Sequence, residues 1–90
     1  MWKLVYSSRF KKDLKHYKGQ TSKIVALKEV LRQLEEKGTV ESSYNPHMLA
    51  GNYKGCMECH VQNNFLLIWI DESNRTISLV RLGSHSELFK

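Results

Sequence analysis

The chain has 90 residues, 41% of them hydrophobic and 26% charged. That is ordinary globular composition with room for one domain spanning 1–90, and it excludes collagen-like and disordered classes. Lysine and arginine number 14 against 9 aspartates and glutamates, for a net charge of +5, which favours an acidic partner: nucleic acid, an acidic protein or anionic lipid.

Residues 1–40 carry ten Lys/Arg and four Asp/Glu, whereas residues 41–90 carry four and five. Three of the four histidines, His47, His60 and His85, fall in the second half. The division suggests a basic platform followed by a segment that supplies chemistry; the alternative is a solvated helical surface. No stretch approaches the roughly 20 apolar residues of a membrane span, and the opening MWKLVYSSRFKKDL lacks the apolar core of a secretory signal. The expectation is a soluble cytoplasmic protein without membrane contact, its Cys56 and Cys59 reduced.

Trp2–Tyr6 reads as an opening strand. Ser7 or Ser8 can cap a helix in which Phe10, Leu14 and Tyr17 recur at helical spacing, with Arg9, Lys11, Lys12, Lys15 and Lys18 on its outer face. Gly19 ends it. Thr21 or Ser22 caps a second helix, with Ile24, Leu27, Leu31 and Leu34 as its apolar stripe and Gly38 as its stop. Residues 39–55, with Pro46, Gly51 and Gly55, read as mostly loop. Met57–Gln62 alternates as a strand, Asn63-Asn64 suits a hairpin turn, and Phe65–Ile70 is the continuous apolar run of a buried central strand. Asp71–Asn74 is a turn and Thr76–Leu82 a further strand. Ser84-His85-Ser86-Glu87 has the form of a capping box, so a helical turn begins at His85. The pattern β-α-α-β-β-β predicts an α+β fold: a helical hairpin on a mainly antiparallel, four-stranded sheet.

Cys56-Met57-Glu58-Cys59-His60 spells a haem-attachment motif, but haem c attachment goes with export, and alternation along a strand sends the two thiols to opposite faces. Two thiols without a second pair do not make a zinc site either. Cys59 is read as a small core residue beside Met57 and Val61. The opposite face carries Glu58, His60 and Gln62. Glu58 and His60 are about 7 Å apart along the strand, so the carboxylate can orient the imidazole. In Arg81-Leu82-Gly83-Ser84-His85, an arginine, a tight bend and a helix start stand together. Backbone N–H groups at that start and the guanidinium both suit phosphate, and His85 is placed to exchange a proton beside it. His16, among lysines, is read as surface.

Four segments carry a resemblance: His47-Met48-Leu49-Ala50-Gly51, Glu58-Cys59-His60-Val61, Leu66-Leu67-Ile68, and Arg81 through Phe89. From Trp2 to Phe89 the chain resembles the YafQ branch of RelE-type bacterial toxins. The resemblance implies a microbial-RNase-like α/β fold and a type II toxin that cleaves mRNA, usually in the ribosomal A site, with no metal or other cofactor. It implies a cognate acidic antitoxin (DinJ/RelB-like) whose complex with the toxin binds operator DNA. Carried over by position, the catalytic or RNA-contacting residues are His47, His60, Arg81, His85 and Phe89. The sequence departs from the pattern at Asn64, where the family usually has an active-site aspartate.

RNA cleavage without metal requires loss of the 2′-OH proton, stabilisation of charge on phosphorus, and protonation of the 5′-oxygen. On this reading His85 is the general acid and His60 the base, with His47 as positioner or alternative base. Arg81 stabilises the phosphorane. Phe89 and Phe65 stack bases, and Lys11, Lys12 and Lys15 hold phosphates. Glu58 and Asn64 are supporting residues. The competing expectation is a weak or inactive module that binds antitoxin and operator DNA, or RNA, without cutting.

Overall fold

The computed structural model describes residues 1–89. The chain runs β1 (Lys3–Tyr6), α1 (Ser8–Tyr17), α2 (Thr21–Lys37), β2 (His47–Met48), β3 (Met57–Gln62), β4 (Phe65–Asp71), β5 (Thr76–Gly83) and α3 (His85–Leu88), with 3-10 turns at Ser42–Tyr44 and Gly51–Tyr53. The sheet has five strands, in the order β1-β5-β4-β3-β2, not the four expected. The added strand is β2, only two residues long and so too short to show a period of two. It pairs antiparallel with β3 (His47 opposite Glu58), while β1 joins β5 in parallel.

Both faces of β4 are buried, which is why its sequence is a continuous apolar run. Phe65, Leu67 and Trp69 belong to the cluster under the helical hairpin, with Phe10, Tyr17, Leu27, Val30 and Leu34. Leu66 and Ile68 belong to a second, smaller cluster on the other face, with Cys56 and Leu88 at its centre and Leu49, Tyr53 and Phe89 at its margin. The thiols divide accordingly: Cys59 lies on the helix side and Cys56 on the other, both unbonded and buried.

Local signals explain most element ends. Ser7 caps α1, its Oγ accepting from Phe10 N–H at 3.0 Å. The same hydroxyl donates to the Val80 carbonyl at 3.2 Å, tying the helix start to β5. Helix α2 has no side-chain cap. Its N-cap is Gln20, not Thr21 or Ser22, because Gln20 N–H still bonds the Tyr17 carbonyl at 2.9 Å and the short link leaves the cap position there. Gly38 closes α2 in the left-handed conformation (φ 74°). No helix among the described residues is long and apolar enough to cross a membrane.

Gly38 meets two constraints together. Its φ disfavours any side chain, and a Cβ there would stand 2.5 Å from the Trp2 ring, which also packs against the Arg75 guanidinium, 4.8 Å from the ring centre. Gly38→Ala is therefore expected to destabilise the fold by about 2 kcal/mol, from overpacking plus the left-handed penalty. Urea denaturation measures the change.

Candidate active site

Strand register places the candidate residues. Across β4 the partners run Glu58–Ile68–Arg81 and His60–Leu66–Gly83. Residues directly opposed share a face, so Glu58, His60 and Arg81 start from the side lined by Leu66 and Ile68, opposite the face on which the α1–α2 hairpin packs. Two strand spacings separate the backbones of Glu58 and Arg81, roughly 10 Å. The apolar floor thus lies between two polar walls, one from β2 and β3, the other from β5 and α3.

On the first wall His47 is held at both ring nitrogens. Nδ1 lies 2.8 Å from the Asn45 carbonyl and Nε2 lies 3.0 Å from Glu58 Oε1. Glu58 is thus paired with His47 and not with His60, which corrects the expectation drawn from the sequence spacing. A directly opposed cross-strand pair is closer than two residues separated by two positions along one strand. The Glu58 side chain is 7% exposed, and its Oε2 has no hydrogen-bond partner among the described residues. His60 is exposed, its ring centre 6.2 Å from that of His47.

On the second wall Arg81 is anchored. Its Nε lies 2.8 Å from Asp13 Oδ2, Nη2 lies 3.3 Å from Asp13 Oδ1, and Nη1 lies 3.3 Å from the Tyr53 hydroxyl. The hydrogen bonds to Asp13 raise the guanidinium pKa further above its ordinary value. Asp13 Oδ2 also accepts the Leu82 N–H at 2.9 Å. A cleft of about 250 Å³ lies beside this pair, lined also by Lys12, His16, Tyr17 and Glu87.

Helix α3 begins with the expected capping box, Ser84 and Glu87 bonding each other's backbone N–H. His85 N–H donates to Asn64 Oδ1 at 2.9 Å, and Asn64 reaches it from a left-handed turn position (φ 54°). The N–H groups of Ser84, His85 and Glu87 are thus engaged within the protein, which corrects the expectation that they receive phosphate. The His85 side chain is exposed, its ring 4.9 Å from that of Phe89, which in turn meets Tyr53 edge-on at 5.5 Å.

Phe65 cannot stack on a base: it is fully buried against Tyr17, with ring centres 4.8 Å apart. As the first residue of β4 it shares the helix-side face with Leu67 and Trp69. Lys11, Lys12 and Lys15 are exposed on α1. His16 is also exposed, with Nε2 3.9 Å from Glu87 Oε2. Burial pushes the Cys59 thiol up to about 12 and raises that of Cys56, so neither is a ready nucleophile. Among the described residues no three His, Cys, Asp or Glu side chains form a metal-holding group.

Asp13 and Tyr53 were not singled out from sequence, and Tyr17 was read only as part of the apolar stripe of α1, whereas its hydroxyl donates to Glu87. Asp13 had a signal, being the single acid in an otherwise basic helix.

The family described as "bacterial toxin of type II toxin-antitoxin system, YafQ" matches residues 2–90. The chain belongs to the YafQ family of bacterial toxins. A metal-bound toxin from Helicobacter pylori is 36% identical, with a TM-score of 0.84 over 99% of this chain and 100% of that one. The toxin in the DinJ-YafQ complex of E. coli is 25% identical, with a TM-score of 0.86 over the whole of both chains. A YoeB/ParE toxin from Agrobacterium tumefaciens is 13% identical, with a TM-score of 0.76 over 92% of this chain and 98% of that one, and shares the fold. No curated protein matches at a significant level. The α+β expectation and the YafQ resemblance both hold.

Glu87 gives a pH-dependent expectation for α3. Its carboxyl is held below its ordinary value of 4.5 first by the Ser84 backbone N–H and then by the Tyr17 hydroxyl. A lowered folded pKa means that the stabilisation is complete above the ordinary value and is lost as pH falls through the folded one. The YafQ-family toxin should therefore lose stability as acidification proceeds below the ordinary glutamate value of 4.5, and Glu87→Gln should flatten that limb. Thermal melts across the acid range provide the check.

Proposed function

We propose that the chain is a metal-independent endoribonuclease that cleaves mRNA, in the ribosomal A site, and so inhibits translation. The observation that supports this reading most is the placement of His60, Arg81 and, next along the chain from β5, His85 around one apolar floor, with His47 held beside His60. Proton transfer in both directions and charge stabilisation on phosphorus are what cleavage by 2′-OH attack needs.

His60, exposed and beside the His47–Glu58 pair, takes the 2′-OH proton. The oxygen then attacks phosphorus and the bond to the 5′-oxygen breaks. His85 gives that oxygen its proton, leaving a 2′,3′-cyclic phosphate. His47, held at both ring nitrogens by the Asn45 carbonyl and Glu58, acts as a positioner rather than as the base. Arg81 faces the charge that develops on the phosphorane. Phe89, already packed against His85, stacks a base, and Lys11, Lys12 and Lys15 hold phosphates with salt-dependent affinity.

The same surface suits an acidic antitoxin of the DinJ type that orders as it binds; the E. coli relative is found in a DinJ-YafQ complex. In this reading the antitoxin complex also contacts operator DNA. A second reading, binding without cutting, draws on Asn64. Its amide is engaged with His85 N–H and cannot serve as a carboxylate base.

Inducing the chain alone should arrest bacterial growth and truncate mRNAs; arrest without truncation would support the binding-only reading. In single-turnover assays with a chelator present, His85→Ala should slow cleavage on the order of 10²–10⁴-fold, the range for a lost general acid, while RNA binding survives. Arg81→Ala should weaken both rate and binding. Near wild-type cleavage by His85→Ala would overturn the acid assignment.

A further inference from the structure

Asp13 is the one acidic residue of α1 (Ser8–Tyr17), a helix otherwise rich in lysine and arginine. It is not exposed with the others. Its side chain is 13% exposed and that of its partner Arg81 is 14% exposed. A charge pair this sheltered persists only with good geometry, and the geometry here is bidentate: Nε to Oδ2 at 2.8 Å and Nη2 to Oδ1 at 3.3 Å.

The carboxylate has a second attachment. β1 pairs with β5 only from Thr76 to Leu79. Past Leu79 the edge of β5 has no strand beside it, and α1 comes alongside. Ser7 N–H donates to the Leu79 carbonyl at 3.2 Å, and Asp13 Oδ2 accepts the Leu82 N–H at 2.9 Å. Asp13 is therefore fixed by the backbone of the strand that carries Arg81. The ladder between β4 and β5 also shifts register here, after the Ile68–Arg81 pair, and such a shift re-aims a side chain.

A guanidinium has five N–H donors. Asp13 takes one on Nε and one on Nη2, and the Tyr53 hydroxyl accepts one from Nη1. One donor remains on each terminal nitrogen, a fork suited to two phosphate oxygens. We propose that Asp13 is a positioning residue: it clamps the inner edge of Arg81 so that the outer edge faces the scissile phosphate over the apolar floor. The assignment rests on the reading of Arg81 as the group that stabilises the phosphorane. It adds that the arginine is preorganised from the helix side of the molecule, and a fixed donor costs no reorganisation as charge develops.

This makes a distinctive kinetic signature. Asp13 adds negative charge near the RNA, so removing it should not weaken binding, yet it should slow chemistry by loosening Arg81. Asp13→Asn keeps the side-chain volume and the acceptor for Leu82 N–H. Its single-turnover cleavage rate is expected to fall roughly 10- to 100-fold, the scale of a misplaced catalytic group, with RNA affinity unchanged or tighter. Asp13→Glu, which restores the charge, should recover part of the rate. In an Arg81→Ala background, Asp13→Asn should have no further effect on rate. The Arg81 Nε–H NMR signal, protected from exchange in the wild type, should become fast-exchanging in Asp13→Asn whatever the activity.

If Asp13→Asn slows both backgrounds by the same factor, or loses RNA affinity in proportion to rate, Asp13 is structural and the inference fails. It fails alone if Arg81→Ala is slow, Asp13→Asn cleaves at the wild-type rate and the Nε–H signal is unaltered. If Arg81→Ala itself cleaves normally, the phosphorane-stabilising role of Arg81 is what is wrong, and the positioning role falls with it.

Discussion

Everything in this fold is arranged around a strand that must be covered twice. β4 presents Phe65, Leu67 and Trp69 to one side and Leu66 and Ile68 to the other, all buried. Each such side chain contributes about 1.5–3 kcal/mol only if its face is kept from water. The helical hairpin covers the first face. On the second there is no helix pair, and coverage comes from the short α3, the Gly51–Tyr53 turn and the margins of β2. That economical cover leaves polar residues of β3 and β5 lining the edge of an apolar floor. The candidate site lies on this thinly covered face.

The unequal length of β1 and β5 poses a second physical problem, and its solution reaches the site. A strand edge without a neighbour leaves backbone N–H and carbonyl groups in need of partners. Ser7 and Asp13 supply them to β5 beyond Leu79. Because Asp13 then lies against Arg81, the same contact that closes the sheet edge fixes the guanidinium. Tyr17, one turn further along α1, does the equivalent for α3 through Glu87. Burial, with the Glu87 hydrogen bond second, pushes the Tyr17 hydroxyl up to about 12, so it remains a donor at any physiological pH. One helix thus braces both the arginine and the turn that carries His85.

The sequence made visible what depends on neighbours a few residues away. The Ser84 capping box, the Gly38 stop, the Asn63-Asn64 turn and the apolar run of β4 are local signals, and each appears where its chemistry requires. Opposite placement of Cys56 and Cys59 followed from alternation alone. What was not visible depends on distant pairing. β2 is defined only by its bonds to β3, and its pairing moves Glu58 from His60 to His47. Phe65 resembled a base-stacking residue because an aromatic is expected there, but the phase of β4 turns it into the core. Asp13 was hidden inside a basic pattern, since charge counts along a helix do not reveal which residue meets a strand 68 positions later.

Asn64 shows how one substitution can serve two demands at once. It occupies a left-handed position, where asparagine is tolerated better than most residues, and its Oδ1 accepts the His85 N–H. An aspartate would keep that hydrogen bond and add a negative charge beside the start of α3. The neutral amide makes the hydrogen bond without that charge, so Asn64 supports the start of α3 from a left-handed turn and leaves no carboxylate beside His85.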